Sequence, residues 1–191
     1  MKLLEEKIRK EGHYKEGDIL KVDSFLNHQM DIQFISEIGK EFYKRFKDAN
    51  PDKILTVEAS GIGIAAITST YFHNIPVVFA KKKRSGNLSD NVYQAKSFSF
   101  TKKVETTVMV DRNYINPGEK ILIIDDFLAM GNACIALMDI VKQANAEVVG
   151  VGIVIEKSFQ DGRERVLSRG VHLESLARIK SIGDGKIEFM D

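Results

Sequence analysis

Two adjacent carboxylates, Asp125 and Asp126, follow the wholly apolar run Ile121-Leu122-Ile123-Ile124 and precede the segment Ala129-Met130-Gly131-Asn132-Ala133. A carboxylate at the end of a buried strand loses its solvation unless a cation or hydroxyl donors replace the water. Vicinal carboxylates match the vicinal hydroxyls of a ribose, because each oxygen accepts an O–H bond. A glycine-bearing loop that opens a helix presents backbone N–H groups, and the helix dipole favours an anion there. Hydroxyl acceptors directly ahead of an anion nest describe a site for a 5-phosphoribosyl group. A plainer account uses the same residues, with Asp126 as a helix cap and Asp125 as the buried partner of a Lys or Arg.

A second loop, Glu58-Ala59-Ser60-Gly61-Ile62-Gly63, follows the β-rich run Lys53-Ile54-Leu55-Thr56-Val57. Small residues at a strand end let the backbone approach an anion, and the next helix again offers N–H groups. Gly61-x-Gly63-x-x-Ala66 also fits a dinucleotide fingerprint, which requires an acidic residue about 20 positions further on. Lys81-Lys82-Lys83 stands there instead, which argues against a nicotinamide dinucleotide. The G-x-x-x-x-G-K-[ST] phosphate loop is absent from the chain.

Residues 81–105 carry seven basic and two acidic side chains, a local charge of +5. Such a run is either a solvated loop or hairpin, or a lid that closes over a highly anionic substrate. In the second case Lys81 and Lys83 meet the phosphates and Ser85-Gly86-Asn87 is the flexible part. The whole chain has 28 basic and 27 acidic residues, a net +1, so the rest of it sums to −4. That balance argues against a protein-wide surface for nucleic acid. The segment before residue 50 also lacks helix-turn-helix spacing or a basic recognition helix.

The elements that must position these residues follow from periodicity. Residues 2–11 pattern as a short helix with Leu3, Leu4 and Ile8 on one side, and Asp31 caps a second in which Ile35, Ile38, Phe42 and Phe46 recur. Lys53 to Val57, Pro76 to Ala80, Ile121 to Ile124 and Val148 to Ile155 are apolar strands separated by helical stretches, Ile64 to Phe72 and Gly131 to Ala144. Val104, Thr106, Val108 and Val110 alternate with charged or polar neighbours, as on a half-exposed strand. Residues 159–169 read as a helix, and 171–179 and 186–189 as edge strands. Alternating strand and helix implies an α/β fold, a central mostly parallel sheet flanked by helices, in one domain. Ligands of such sheets sit beyond the carboxyl ends of the strands.

The longest apolar stretch, residues 148–155, is far below the roughly 20 residues of a membrane span. The opening MKLLEEKIRKEG is charged and amphipathic rather than a secretory signal. One cysteine, Cys134, suits a reducing cytoplasm and reads as a packing residue. His13, His28, His73 and His172 lack metal-ligand spacing and read as surface residues.

Asp125-Asp126-Phe127-Leu128-Ala129 followed by Gly131 resembles the phosphoribosyl-diphosphate signature of the type I phosphoribosyltransferases, and the likeness runs over nearly the whole chain. Leu20-Lys21-Val22-Asp23-Ser24-Phe25-Leu26-Asn27-His28-Gln29 and Val154-Ile155-Glu156-Lys157-Ser158-Phe159 are similar to motifs of the bacterial xanthine phosphoribosyltransferases. The resemblance implies a type I phosphoribosyltransferase fold, with a hood built from about residues 1–30 and the C-terminal segment, and a flexible lid. It implies transfer of a phosphoribosyl group from 5-phosphoribosyl 1-diphosphate to xanthine, with Mg²⁺ carried mainly by the diphosphate, in a cytoplasmic homodimer. Asp125 and Asp126 then act on the ribose, residues 129–133 hold its phosphate, and Ala59, Ser60, Lys81 and Lys83 meet the diphosphate. Leu20, Asn27 and Lys157 contact the purine, and Phe127 stacks on it. On the residues alone, Lys157 is equally placed to pair with Glu156 or Asp161. Met130 departs from the family's usual polar residue, with little consequence where backbone donors hold the phosphate. Enzymes acting on adenine, guanine or hypoxanthine share the superfamily signature, as do non-catalytic sensors of the donor.

Overall fold

A computed structural model describes residues 1–15, 18–82, 91–99, 104–183 and 186–190. Along them run α1 (Lys2–Glu11), β1 (His13–Lys15), β2 (Ile19–Lys21), a π-helical turn (Asp23–Asn27), α2 (Ile32–Phe46), β3 (Lys53–Val57), α3 (Ser60–Tyr71) and β4 (Val77–Ala80). There follow β5 (Val92–Ser99), β6 (Val104–Asp111), β7 (Lys120–Leu128), α4 (Asn132–Gln143), β8 (Glu147–Lys157), α5 (Gly162–Leu167), β9 (Leu173–Gly183) and β10 (Lys186–Phe189). The main sheet has the order β10-β9-β8-β7-β3-β4. All its pairings are parallel except β10 on β9.

The apolar run of β7 is buried because both faces of the sheet are covered. Leu122 and Ile124 point into a core with Ile38, Phe42 and Phe46 of α2. Ile121 and Ile123 point into a second core with Leu137 and Val141 of α4. Successive strand residues alternate faces, so one uniformly apolar strand feeds both layers. On β8 the α2 face carries Gly150 and Gly152, because the rings of Phe46 and Phe42 lie where a side chain would be, 2.5 and 2.8 Å from an added Cβ. Asp31 caps α2, accepting the N–H of Phe34 on Oδ1 at 3.1 Å.

At the N-terminus, Leu4 and Ile8 are buried as the pattern predicts, but Leu3 is 48% exposed. A helix this short presents only a narrow stripe to its neighbour, and Leu3 falls outside it. Lys7 ties α1 to the turn and to α2, 2.9 Å from Asp31 and above the rings of Phe25 and Phe34.

Two sequence expectations about strands are corrected. β9 is interior, flanked by β8 and β10, since the added antiparallel strand moves the edge outward. β6 is more than half-buried, with Val108, Met109 and Val110 all inside. It pairs along its length with β5, a strand whose polar composition conceals it, and Tyr93 of β5 packs with Val108 and Val110. Lys83, the Ser85-Gly86-Asn87 stretch and the two lysines at 102 and 103 lie outside the described residues.

Candidate active site

Because β3, β7 and β8 are parallel neighbours, their carboxyl ends meet on one edge of the sheet. That edge gathers the loop after β3, the acidic pair with its following loop, and Lys157. Residues far apart in sequence become one site.

Asp125 and Asp126 lie within β7, which runs on to Leu128. Asp126 is therefore no helix cap, since Gly131 takes that position ahead of α4. Asp125 is buried and Asp126 half-buried. Each accepts the N–H of the next residue at 3.0 Å, from Asp126 to Asp125 and from Phe127 to Asp126. Burial pushes the Asp125 carboxyl well above the usual range, the charge of Asp126 pushes the same way, and Lys82 pulls against them. One oxygen of Asp125 stands 3.4 Å from the position a Cβ on Gly61 would take, and the hydroxyl of Thr56 stands 2.1 Å from it. The Thr56 hydroxyl is buried without a hydrogen-bond partner. Gly61 is thus required by packing at the site, whereas a Cβ at Gly63 would meet only the flexible end of Met30, 2.0 Å away. The first glycine of the pair that mimics a dinucleotide fingerprint is a packing feature.

Beyond Leu128 the chain turns through Ala129, Met130 and Gly131. Gly131 has φ +77°, a left-handed conformation that glycine adopts without a Cβ clash. α4 starts at Asn132, followed by Ala133, and helix geometry leaves its first N–H groups without intrahelical acceptors. Cys134, next along, is buried, and burial pushes its thiol up, so it packs rather than attacks.

The loop after β3 holds Glu58 and Ala59, with their peptide cis, and Ser60 opens α3. It is tied to the end of β4: Glu58 donates its N–H to the Ala80 carbonyl at 3.1 Å and accepts the N–H of Lys82 on Oε1 at 2.6 Å. Lys81 exchanges two backbone bonds of 2.9 Å with Met109 of β6. The basic segment thus leaves the sheet edge beside the acidic pair. Lys82, whose charge reaches Asp125, is the lysine that sequence reasoning passed over.

On the other side of the pair, Lys157 ends β8 and donates to the Asp18 carbonyl at 2.8 Å, two residues from Leu20. Burial lowers its pKa, partly offset by the charge of Asp18. Glu156, one residue earlier, points to the opposite face. It is fully buried, bonded to Ser158 at 2.6 Å, to Ser175, to Arg163 at 2.7 Å and to Arg178 at 3.2 Å. Pairing of Lys157 with Glu156 is therefore ruled out by strand alternation. Phe127 is half-buried against the α2-side core. Leu20 is buried in β2, and Asn27 closes the π-helical turn, exposed, its N–H on the Val22 carbonyl at 3.4 Å.

Among the described residues, no group of three or more His, Cys, Asp or Glu is gathered that could hold a metal. Mg²⁺ commonly binds through one or two carboxylates plus substrate phosphates and water, and the adjacent Asp125 and Asp126 suit that donor set. No helix among the described residues is long and apolar enough to cross a membrane.

The family model of the phosphoribosyl transferase domain matches residues 21–168. Xanthine phosphoribosyltransferase 1 of Clostridium perfringens is 58% identical over 189 residues, covering 99% of this chain and 100% of that protein. The xanthine phosphoribosyltransferase of Clostridioides difficile is 57% identical over the same shares of both chains. A solved adenine phosphoribosyltransferase of Thermoanaerobacter pseudethanolicus matches with a TM-score of 0.74 at 20% identity, covering 92% of this chain and 99% of that one. At that identity the likeness is one of fold, the type I phosphoribosyltransferase fold. The chain belongs to the phosphoribosyl transferase family.

Proposed function

We propose that the protein transfers the 5-phosphoribosyl group of 5-phosphoribosyl 1-diphosphate to xanthine, giving xanthosine 5′-monophosphate and diphosphate, a reaction of purine salvage. The observation that carries the chemistry is the acidic pair on β7, with Asp125 buried and short of donors. The choice of xanthine rests on the names of relatives that match the chain end to end.

Asp125 and Asp126 accept the ribose hydroxyls and place negative charge beside C1′, which becomes cation-like as the diphosphate leaves. The loop at 129–133 receives the 5-phosphate on backbone N–H groups at the start of α4. Ala59 and Ser60 at the start of α3 receive the diphosphate, with Lys81, and Lys83 beyond the described residues, neutralising it. Mg²⁺ carried mainly by the diphosphate, with Asp125 and Asp126 as the carboxylates that would help hold it, would supply further charge neutralisation on the leaving group. Lys157 donates to a purine carbonyl in place of the Asp18 carbonyl, Asn27 and Leu20 complete the base contacts, and Phe127 stacks on the ring. Catalysis is chiefly positioning and electrostatic stabilisation. The reading includes a homodimer, from the family resemblance, and a cytoplasmic setting, which the lone, buried Cys134 suits.

The test is diphosphate release from the donor with a panel of purines. Xanthine should give the highest kcat/KM. Faster turnover of adenine, guanine or hypoxanthine would change the substrate, and donor binding without release would replace the enzyme with a sensor.

A further inference from the structure

The segment between β8 and β9 has no part in the reaction above, yet it touches the phosphate loop at several points. Arg163 and Arg165 stand two apart on α5, so their side chains leave the helix about 200° apart around its axis. Arg163 reaches back to Glu156 at 2.7 Å. Arg165 reaches the other way, donating to the Asn132 side-chain oxygen at 2.7 Å and to the Met130 carbonyl. Just before them, the N–H of Gly162 donates to the Ala129 carbonyl at 3.0 Å. A Cβ at Gly162 would stand 2.2 Å from that carbonyl oxygen, so backbone meets backbone there.

These bonds decide where the loop's N–H groups point. A trans peptide unit is planar, with its C=O and the following N–H directed oppositely. The carbonyls of Ala129 and Met130 are both drawn toward α5. The N–H groups that share their peptide planes, those of Met130 and Gly131, are therefore turned away from α5, and the Asn132 side chain is held beside them.

We propose that Arg165 is a positioning residue for the 5-phosphate, aiming the Met130 and Gly131 N–H groups without touching the substrate. This rests on the phosphoribosyl-transfer reading. On this proposal the 5-phosphate contact is uniform binding, held alike in ground and transition states, so loosening its donors raises KM for the donor and spares kcat.

Steady-state kinetics of Arg165→Met and Arg165→Lys test it. Loss of hydrogen bonds to a charged group predicts a donor KM raised about tenfold in Arg165→Met. The xanthine KM and kcat stay within about twofold. Arg165→Lys keeps the charge but loses the planar fork, and recovers only part of the donor KM. Both KM values rising in step would mark a general structural role and overturn the proposal, as would an unchanged donor KM. If Arg165→Met fails to fold, the ratio of the two KM values in Arg165→Lys carries the same test. Calorimetry separates the two layers of inference: Arg165→Met should weaken binding of ribose 5-phosphate and leave inorganic diphosphate unaffected, and equal loss of both overturns the role. Wild-type protein that releases no diphosphate with any purine would sink the transfer reading itself, while the ribose 5-phosphate contrast still decides Arg165.

Discussion

Asp125 and Glu156 occupy similar places and behave in opposite ways. Both lie near the carboxyl ends of the adjacent parallel strands β7 and β8, and both are buried, 4% and 0% exposed. Burial pushes each carboxyl upward. Around Glu156, hydrogen bonds from Ser158 and Ser175 and the charge of Arg163 outweigh that push and leave it below the ordinary range. Around Asp125, the neighbouring Asp126 adds a like charge, and the opposing pull of Lys82 is smaller. A carboxylate whose donors all come from the protein is structural. One left short of donors at a strand end is ready for donors from a ligand.

Four measurements on three substitutions would break or sharpen that contrast. The largest effect is expected for Asp125→Asn, with the rate of diphosphate release falling about 100-fold or more, as when one preorganised charge-stabilising group is lost. A full rate in this variant would erase the functional half of the contrast. Glu156→Gln should act on the fold instead, lowering unfolding stability by about 3 kcal/mol in urea titrations, the lower end of the range for a broken buried pair because Arg163 and Arg178 are partly exposed. Since the folded pKa of Glu156 is depressed, its contribution is present above the ordinary Glu range and lost as pH falls through the folded value. The gap between variant and parent should therefore close only in acid. A Glu156→Gln protein as stable as the parent near neutrality would show that the arginines need no anion.

Lys157→Met should raise the xanthine KM about tenfold, the scale of a lost charged hydrogen bond, while the donor KM stays put. A change confined to the donor KM would move Lys157 to the other half of the site. The smallest effect is in the stability of Asp125→Asn. A raised folded pKa contributes stability at low pH that is lost as pH rises from the ordinary Asp range through the folded value. Replacing the carboxyl by a neutral amide should then raise Tm near neutrality by about 2–4 °C, with the gain vanishing below the ordinary Asp range. A lowered Tm at neutral pH would mean that the fold already holds Asp125 as an anion.

Lys157 and the paired arginines mark the limit of what the chain order reveals. The position of Lys157 at a strand end is readable from the apolar run before it, but its partner, the Asp18 carbonyl, lies 139 residues away in sequence. Arg163 and Arg165 look like ordinary helix charges, and no spacing signals that one meets Glu156 and the other the Met130 carbonyl. β5 is hidden because its polar and charged positions alternate with small ones, and it becomes a strand by pairing with β6. Thr56 looks like any strand threonine until α3 seals it beside Gly61.

By itself the sequence determined what is local: the four apolar strands β3, β4, β7 and β8, the Asp31 cap, the apolar stripe of α2, and the acidic pair ahead of a helix-opening loop. Each depends on side-chain periodicity or on neighbours a few residues away. The net charge of +1 hides an uneven distribution, because it sums a basic segment with an acidic remainder. Only the tertiary structure decided which strand ends share an edge, which buried carboxylate is satisfied, and which way the loop's N–H groups point. Those follow from strand order and from contacts between distant segments, and desolvation gives a charge its meaning only once its surroundings are assembled.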